Sequence, residues 1–434
     1  MNHKKYIMLA IPLTLSAMTT PLIGAVDTAV VGQLSDPAFI GGVAVGAVVF
    51  NTMYWLFGFL RVSTSGFTAQ AHGAMDEKLM TLSLVRPLIL AISVGILFVL
   101  FRNHISDLAM TIIEPADGVN DYALQYIDIR IWGAPFALIQ YVILGWLMGL
   151  SRIKEAFYLQ IGMNGMNIIL DILFVQGFSW GVQGVAAATL IAEVCAVIVG
   201  FFLIISKKSF SFTSRELTEI FAWREVLTML YVNRDLFIRT ACLLIMFNLF
   251  TKFGASFGTE MLAANAILIQ IHYLMAYFFD GFANASSILC GRAIGSNDKK
   301  DFSNTLSLSF QWSIYTALFV TFIYLLFKEA LIRLFTRIEP VADLASEYGN
   351  WLLVYPAAAA FGLVLYGVFT GAASAAPVRN SMIYSLFVYL IALWSLLPIY
   401  ENHGLWLSFL LFGIGRSLFL IMYIPGLKKR IHAL

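Results

Sequence analysis

Runs of about twenty or more predominantly apolar residues recur from one end of this chain to the other, and they leave few folds open. A helix needs about 20 such residues to cross the hydrocarbon core of a bilayer. The runs fall at approximately 7–33, 40–66, 82–102, 122–149, 156–176, 182–206, 226–252, 260–286, 304–327, 346–371, 379–399 and 403–425. They are long and continuous, whereas the strands of a membrane barrel alternate in segments of about ten residues. The chain therefore reads as an all-α integral membrane protein of about twelve transmembrane helices. Composition agrees. Of 434 residues, 60% are hydrophobic and 12% charged, roughly half the charged share of a soluble domain. A secreted, cytosolic or disordered protein is excluded. A net charge of +2 gives no reason to expect a nucleic-acid partner.

Lys4 and Lys5 precede an apolar run that continues to Val31. That is too long for the h-region of a signal peptide, about 7–15 residues, and no A-x-A site follows it. It reads as a retained first helix. Cys195, Cys242 and Cys290 lie far apart in apolar stretches, without metal or disulfide spacing.

Basic residues set the orientation. One set of loops and termini holds Lys4, Lys5, Lys78, Arg152, Lys154, Lys207, Lys208, Arg215, Arg224, Arg292, Lys299, Lys300, Arg379 and Lys428–Arg430. The opposite loops hold Arg102, Lys328, Arg333 and Arg337, and are otherwise acidic. Both termini are expected to face the cytoplasm. A shift of 222 residues exposes an internal repeat. Gly32 falls on Gly254, Gly73–Lys78 on Gly295–Lys300, and Gly145 and Gly149 on Gly367 and Gly371. Six helices per half enter the membrane in the same direction, so the repeat is parallel. The expected organisation is two pseudo-symmetric six-helix lobes, 1–206 and 226–434, joined by a cytoplasmic linker at 207–225. Two such bundles across a cleft are the usual geometry of alternating access. The GxxxG pairs at 145/149 and 367/371 are expected to pack helices closely within the monomer.

Charges inside apolar spans ask for an explanation. Asp27 lies about six residues from the outer end of helix 1, roughly 9 Å deep at about 1.5 Å per residue. Asp171 on helix 5 and Thr189 on helix 6 fall at similar depth, Asn167 is one turn from Asp171, and Tyr126 enters helix 4 slightly shallower. Five polar groups from four helices thus share one layer. An acid in apolar surroundings costs about 2.5–3.5 kcal/mol on insertion scales. The cost falls on the charged form, so such an acid can exchange a proton. From the residues alone the layer is either a proton carrier or a hydrogen-bonded polar plug. Pro12 and Pro21 lie inside helix 1 and make either a moving hinge or a static kink. Glu193, one turn beyond Thr189, Asp280 in helix 8 and Arg61 in helix 2 are secondary candidates. Arg130, Arg234, Asp235 and Arg239 lie nearer helix ends, where snorkelling or ion pairing is the default. The histidines show no metal spacing, and no nucleotide-binding, hydrolase or metalloprotease motif is present. No cofactor and no enzymatic activity are expected, and active transport must draw on an ion gradient.

The stretches Pro21-Leu-Ile-Gly-Ala-Val-Asp-Thr-Ala-Val-Val-Gly32, Gly58–Gly66 with Thr68-Ala-Gln70, Asn233-Arg-Asp-Leu-Phe-Ile-Arg-Thr240, Leu262–Ala266 and Asp280-Gly-Phe-Ala-Asn284 together resemble the MATE family, multidrug and toxic compound extrusion transporters, in its DinF-like branch. The resemblance runs over nearly the whole chain. It implies twelve helices in two lobes, with export of small amphipathic, often cationic compounds across the inner (cytoplasmic) membrane by a monomer surrounded by lipid. It also implies proton coupling through the helix-1 acid, here Asp27, with Asn167, Asp171, Thr189 and Tyr126 as its N-lobe partners. Pro12 matches the family proline linked to helix-1 bending. The helix-7 acid of the sodium-coupled branch has no counterpart here, since Thr240–Thr251 contains no acid. Sodium at Asp27, Asn167, Asp171 and Thr189 remains the alternative coupling ion, their oxygens suiting a hard cation. Two rival readings are a lipid-linked oligosaccharide flippase, for which Arg61 and Arg130 are the chief cavity cations, and an intramembrane enzyme, for which no catalytic cluster is found.

Overall fold

The computed structural model describes residues 2–18, 37–115, 118–206, 220 and 222–433. Asp27 and Pro21 lie outside them. Helix is the dominant regular structure among the described residues, and no strand occurs among them. The helices are α1 (His3–Met18), α2 (Pro37–Phe57), α3 (Phe59–Gly73), α4 (Glu77–Leu100), α5 (Arg102–Ile113), α6 (Val119–Arg130), α7 (Ala134–Gly149), α8 (Ile153–Asp171), α9 (Gly181–Ser206), α10 (Trp223–Ala255), α11 (Thr259–Gly295), α12 (Lys299–Phe335), α13 (Glu339–Tyr348), α14 (Trp351–Gly371), α15 (Ala376–Met422) and α16 (Ile424–Ala433). Nine stretches among the described residues are long and apolar enough to cross a membrane. Two expected spans share one of these, Ala376–Ala433. Within it α15 breaks at Glu401, whose φ of 47° leaves the helical region. The expected span 304–327 lies inside α12, and α1 carries the described part of the first. The all-α, twelve-helix membrane architecture follows.

The chain forms two compact units, Met18–Thr228 and a second made of Met1–Ala17 with Met229–Leu434. The first has a core of Val43, Phe50, Tyr54, Tyr126, Ile127, Ile131, Val182 and Val185. The second is built around Phe250, Leu268, Phe279, Tyr324, Leu352, Trp406 and Phe409. Large apolar side chains also point outward, among them Leu97, Ile169, Phe202, Leu318, Phe322 and Trp394. Such continuous apolar surface suits lipid and not water.

By sequence order α1 belongs to the first half, yet its described residues pack with the second. The Tyr6 hydroxyl lies 2.6 Å from Ser286 Oγ and donates to the Phe282 carbonyl at 3.2 Å. Thr14 presses on Gly281, where a Cβ would overlap its hydroxyl. Pro12 sits inside α1 without ending it.

The repeat is visible in the backbone. Asp76 caps α4 by accepting from the Leu79 amide at 2.9 Å, and Asp298 caps α12 by accepting from Asp301 at 2.8 Å. The residue before each cap has positive φ, 52° at Met75 and 55° at Asn297. The turns after α7 and α14 match likewise, with Ser151 at 56° and Ala373 at 49°. The GxxxG glycines are used the same way in both halves. Gly145 and Gly149 lie against the carbonyls of Arg61 and Ser65, and Gly367 and Gly371 against those of Ala283 and Ser287. Each pair packs inside its own unit, where small residues let backbones touch. Gly367→Ala places a methyl on the Ala283 carbonyl and is expected to destabilise by about 1–3 kcal/mol. Gly162→Ala, which meets nothing within 4 Å, should leave the midpoint unchanged or slightly raised. Thermal unfolding in detergent compares the two.

Candidate coupling site

The first unit gathers the expected polar residues of helices 5 and 6. Thr189 on α9 donates its hydroxyl to the Val185 carbonyl one turn back, at 3.0 Å. Its lone pairs stay available, and Asn167 Nδ2 on α8 donates to Thr189 Oγ1 at 3.2 Å. That bond fixes the amide, and Asn167 Oδ1 is left buried without a hydrogen-bond partner among the described residues. Asp171, one turn further along α8, is fully buried at 0% exposure. Immediately after it the chain widens into a π-helix, Ile172–Gly177, a distortion often found where a helix carries a functional group. The site therefore offers a carboxyl group, an amide oxygen short of a donor, and a hydroxyl. This donor set suits a proton and also a hard cation.

Tyr126 is buried on α6, which packs against α9, its ring on Gly46 and 6.1 Å from Phe50. Each helix carries a charge one turn beyond its polar residue, Arg130 after Tyr126 and Glu193 after Thr189, and these two charges meet. Arg130 donates through Nη1 to Glu193 Oε2 at 2.7 Å and through Nη2 to Oε1 at 2.6 Å. Nη1 also donates to the Tyr54 hydroxyl at 3.3 Å, and the guanidinium lies 5.3 Å from the Phe50 and Tyr54 ring centres. Both side chains are buried. Gly133 makes room for them, because a Cβ there would stand 2.7 Å from both Arg130 Nη1 and Glu193 Oε2. Of the two expectations for Arg130, snorkelling or ion pairing, the structure shows ion pairing, with Glu193 as a partner the sequence reading did not name. The signal was present in the matched spacing, a cation four residues after Tyr126 and an acid four residues after Thr189. The pairing also weakens the flippase reading, since one of its two candidate cations is already neutralised.

The remaining candidates fall elsewhere. The backbone of Arg61, on α3, packs on Gly145. Asp280, on α11, accepts from Asn284 Nδ2 at 3.1 Å and belongs to the second unit. Asp235, from the Asn233–Thr240 stretch, is buried and accepts from Arg379 at 2.8 Å and Arg234 at 2.9 Å, tying α10 to α15. Among the described residues no group of three or more His, Cys, Asp or Glu could hold a metal ion.

Comparison with known proteins identifies the architecture. The MatE family model matches residues 12–173 and 236–394. The chain is 36% identical to the DNA damage-inducible protein F of Escherichia coli (strain K12), over 94% of this chain and 89% of that protein. It is 24% identical to the multidrug resistance protein NorM of Vibrio cholerae, over 84% and 80%. Among solved structures it superposes with a TM-score of 0.89, at 20% identity and over 99% and 97% of the two chains, on the outward-facing conformation of a multidrug resistance MATE family transporter of the MOP superfamily. An all-helical membrane chain built as a backbone-level repeat, matched by this family over most of its length, belongs to the MATE family of multidrug-efflux transporters, in its DinF-like branch.

Proposed function

We propose that this chain is a proton-coupled antiporter that exports small amphipathic, often cationic compounds by alternating access, with Asp27 as the proton carrier. The observation that carries this reading is the buried cluster of Asn167, Thr189 and Asp171, in which Asn167 Oδ1 lacks a donor among the described residues. A protonated carboxyl group supplies that donor, and a carboxylate does not. Protonation therefore changes the hydrogen bonding of the site as well as its charge. Asp171 and Asp27 are the acids, and Asn167, Thr189 and Tyr126 position them. Helix 1, weakened at Pro12 and Pro21, bends in response and alters the drug site. The chain works as a monomer in the cytoplasmic membrane with both termini inside.

Efflux of a cationic dye from proteoliposomes under an imposed pH gradient tests the reading, repeated with a sodium gradient alone. Proton-driven efflux is expected. Efflux driven by sodium alone would give the same oxygens to sodium, and no efflux under either gradient would reject an exporter of such compounds. Topology is checked separately. A single cysteine at position 215 should react only with membrane-permeant reagents in intact cells, and external labelling there would invert the orientation.

The hinge gives a third expectation. The distance between spin labels at position 8 and on α8 should shift between about pH 5 and pH 8. The shift should shrink in Pro12→Ala and vanish in Asp27→Asn. A response unchanged in Asp27→Asn would move the sensor to another acid.

A further inference from the structure

The second unit holds a buried guanidinium without a hydrogen bond among the described residues. Arg416, on α15, is 7% exposed, and it meets no hydrogen-bond acceptor among the described residues. Its stem packs on Gly362, where a Cβ would come within 2.8 Å of Arg416 Cγ. Its head lines a small cavity with Phe247, His272, Tyr355, Phe409 and Phe412. His272 is 6% exposed, and its Nδ1 likewise has no partner among the described residues. The imidazole is held edge-on by Tyr355 and Phe409, with ring centres 4.4 and 5.0 Å away.

Among the described residues in electrostatic reach of Arg416, another cation stands beside a single acid. Arg239, on α10, lies within electrostatic reach of Arg416. Its guanidinium stacks 4.2 Å from the Tyr366 ring centre, and its Nε has no hydrogen-bond partner among the described residues. Asp280 is the carboxylate in reach of Arg416, and it already accepts from Asn284. Arg416 thus faces a second guanidinium and an acid already engaged by Asn284. A buried charged donor left unsatisfied costs more than the roughly 1–3 kcal/mol of a neutral one. The rest of the wall is apolar and aromatic, and the cavity is small and only partly enclosed, room for one small group entering from its open side. A neutral water satisfies a donor but does not offset the positive charge. A small anion does both.

We propose that this cavity is an anion site, in which Arg416, with His272 beside it, receives one small negatively charged group: a halide ion, or the carboxylate of a larger molecule. The site lies wholly in the second unit and uses none of the acids assigned to coupling, so it stands or falls separately from the proton reading.

The test uses the full chain purified in detergent. Sodium bromide and sodium acetate are titrated separately by calorimetry, with sulfate making up the ionic strength. Crystals grown in bromide are examined for anomalous density. Saturable binding of either anion by the unmodified protein is expected, weaker by at least about tenfold in Arg416→Gln and largely kept in Arg416→Lys. A bromide peak in the cavity that acetate does not displace identifies a halide site. Displacement by acetate identifies a carboxylate site. The proposal is overturned if neither anion binds saturably to the unmodified protein, or if binding is unchanged in Arg416→Gln. Should Arg416→Gln fail to fold, the unmodified protein and the position of its bromide peak decide the matter.

Discussion

Proteoliposomes carrying Asp27→Asn are expected to show no dye efflux in response to a pH gradient, while the variant inserts and unfolds like its parent. Asn keeps the size and hydrogen-bonding capacity of the acid but cannot exchange a proton. A proton shifts a conformational balance only through different affinities for the two states. One unit of pKa difference between the states supplies about 1.4 kcal/mol, enough to move a balanced helix about tenfold. With no proton to bind at residue 27, that term falls to zero and the gradient has no hold on the cycle. Asp171→Asn should be impaired in the same direction, because Asp171 lies fully buried one turn from the Asn167–Thr189 hydrogen bond. Normal pH-driven efflux by Asp27→Asn would remove this residue from the mechanism.

The second large effect concerns stability. Glu193→Ala or Arg130→Ala should destabilise the protein by about 3–5 kcal/mol. Each leaves its partner charged in a buried site, between the Phe50 and Tyr54 rings in the case of Arg130. Replacing both, as Arg130→Met with Glu193→Leu, should recover most of the loss, because no uncompensated charge remains. Thermal unfolding of the parent, Arg130→Met, Glu193→Leu and the variant carrying both forms a double-mutant cycle. A coupling energy below about 0.5 kcal/mol would mean that the two side chains act independently, against the bidentate geometry of 2.6 and 2.7 Å.

The difference between these two predictions follows what the sequence could reveal. Apolar runs and a shift of 222 residues were enough to lay out the helices and to align Gly145 with Gly367. The structure then shows the same glycine-to-carbonyl packing in both halves. The Asn167–Thr189 contact was legible from helix depth alone, because two polar groups at one level of adjacent spans have few other places to go. The Arg130–Glu193 pair was not legible in that way. Its members are 63 residues apart, and while ion pairing was open to Arg130, nothing in the sequence named its partner. Only taking each charge with the polar residue four positions before it would have matched them. The packing of α1 on Ser286, 280 residues from Tyr6, had no local signal. A tyrosine near a helix start reads as an interfacial anchor. The π-helix after Asp171 was equally hidden, since Ile172–Gly177 continues the apolar pattern of α8.

Proton release on substrate binding is the most direct measurement of coupling. Linkage requires that if protonation weakens drug binding, drug binding weakens proton binding by the same factor. Adding ethidium, a cationic dye, to the purified protein in weakly buffered detergent solution near neutral pH should release protons that a pH-sensitive dye can count. The release should be lost in Asp27→Asn and retained in Glu193→Gln. Equal release from the parent protein and from Asp27→Asn, with ethidium still bound by both, would contradict a proton carrier at residue 27.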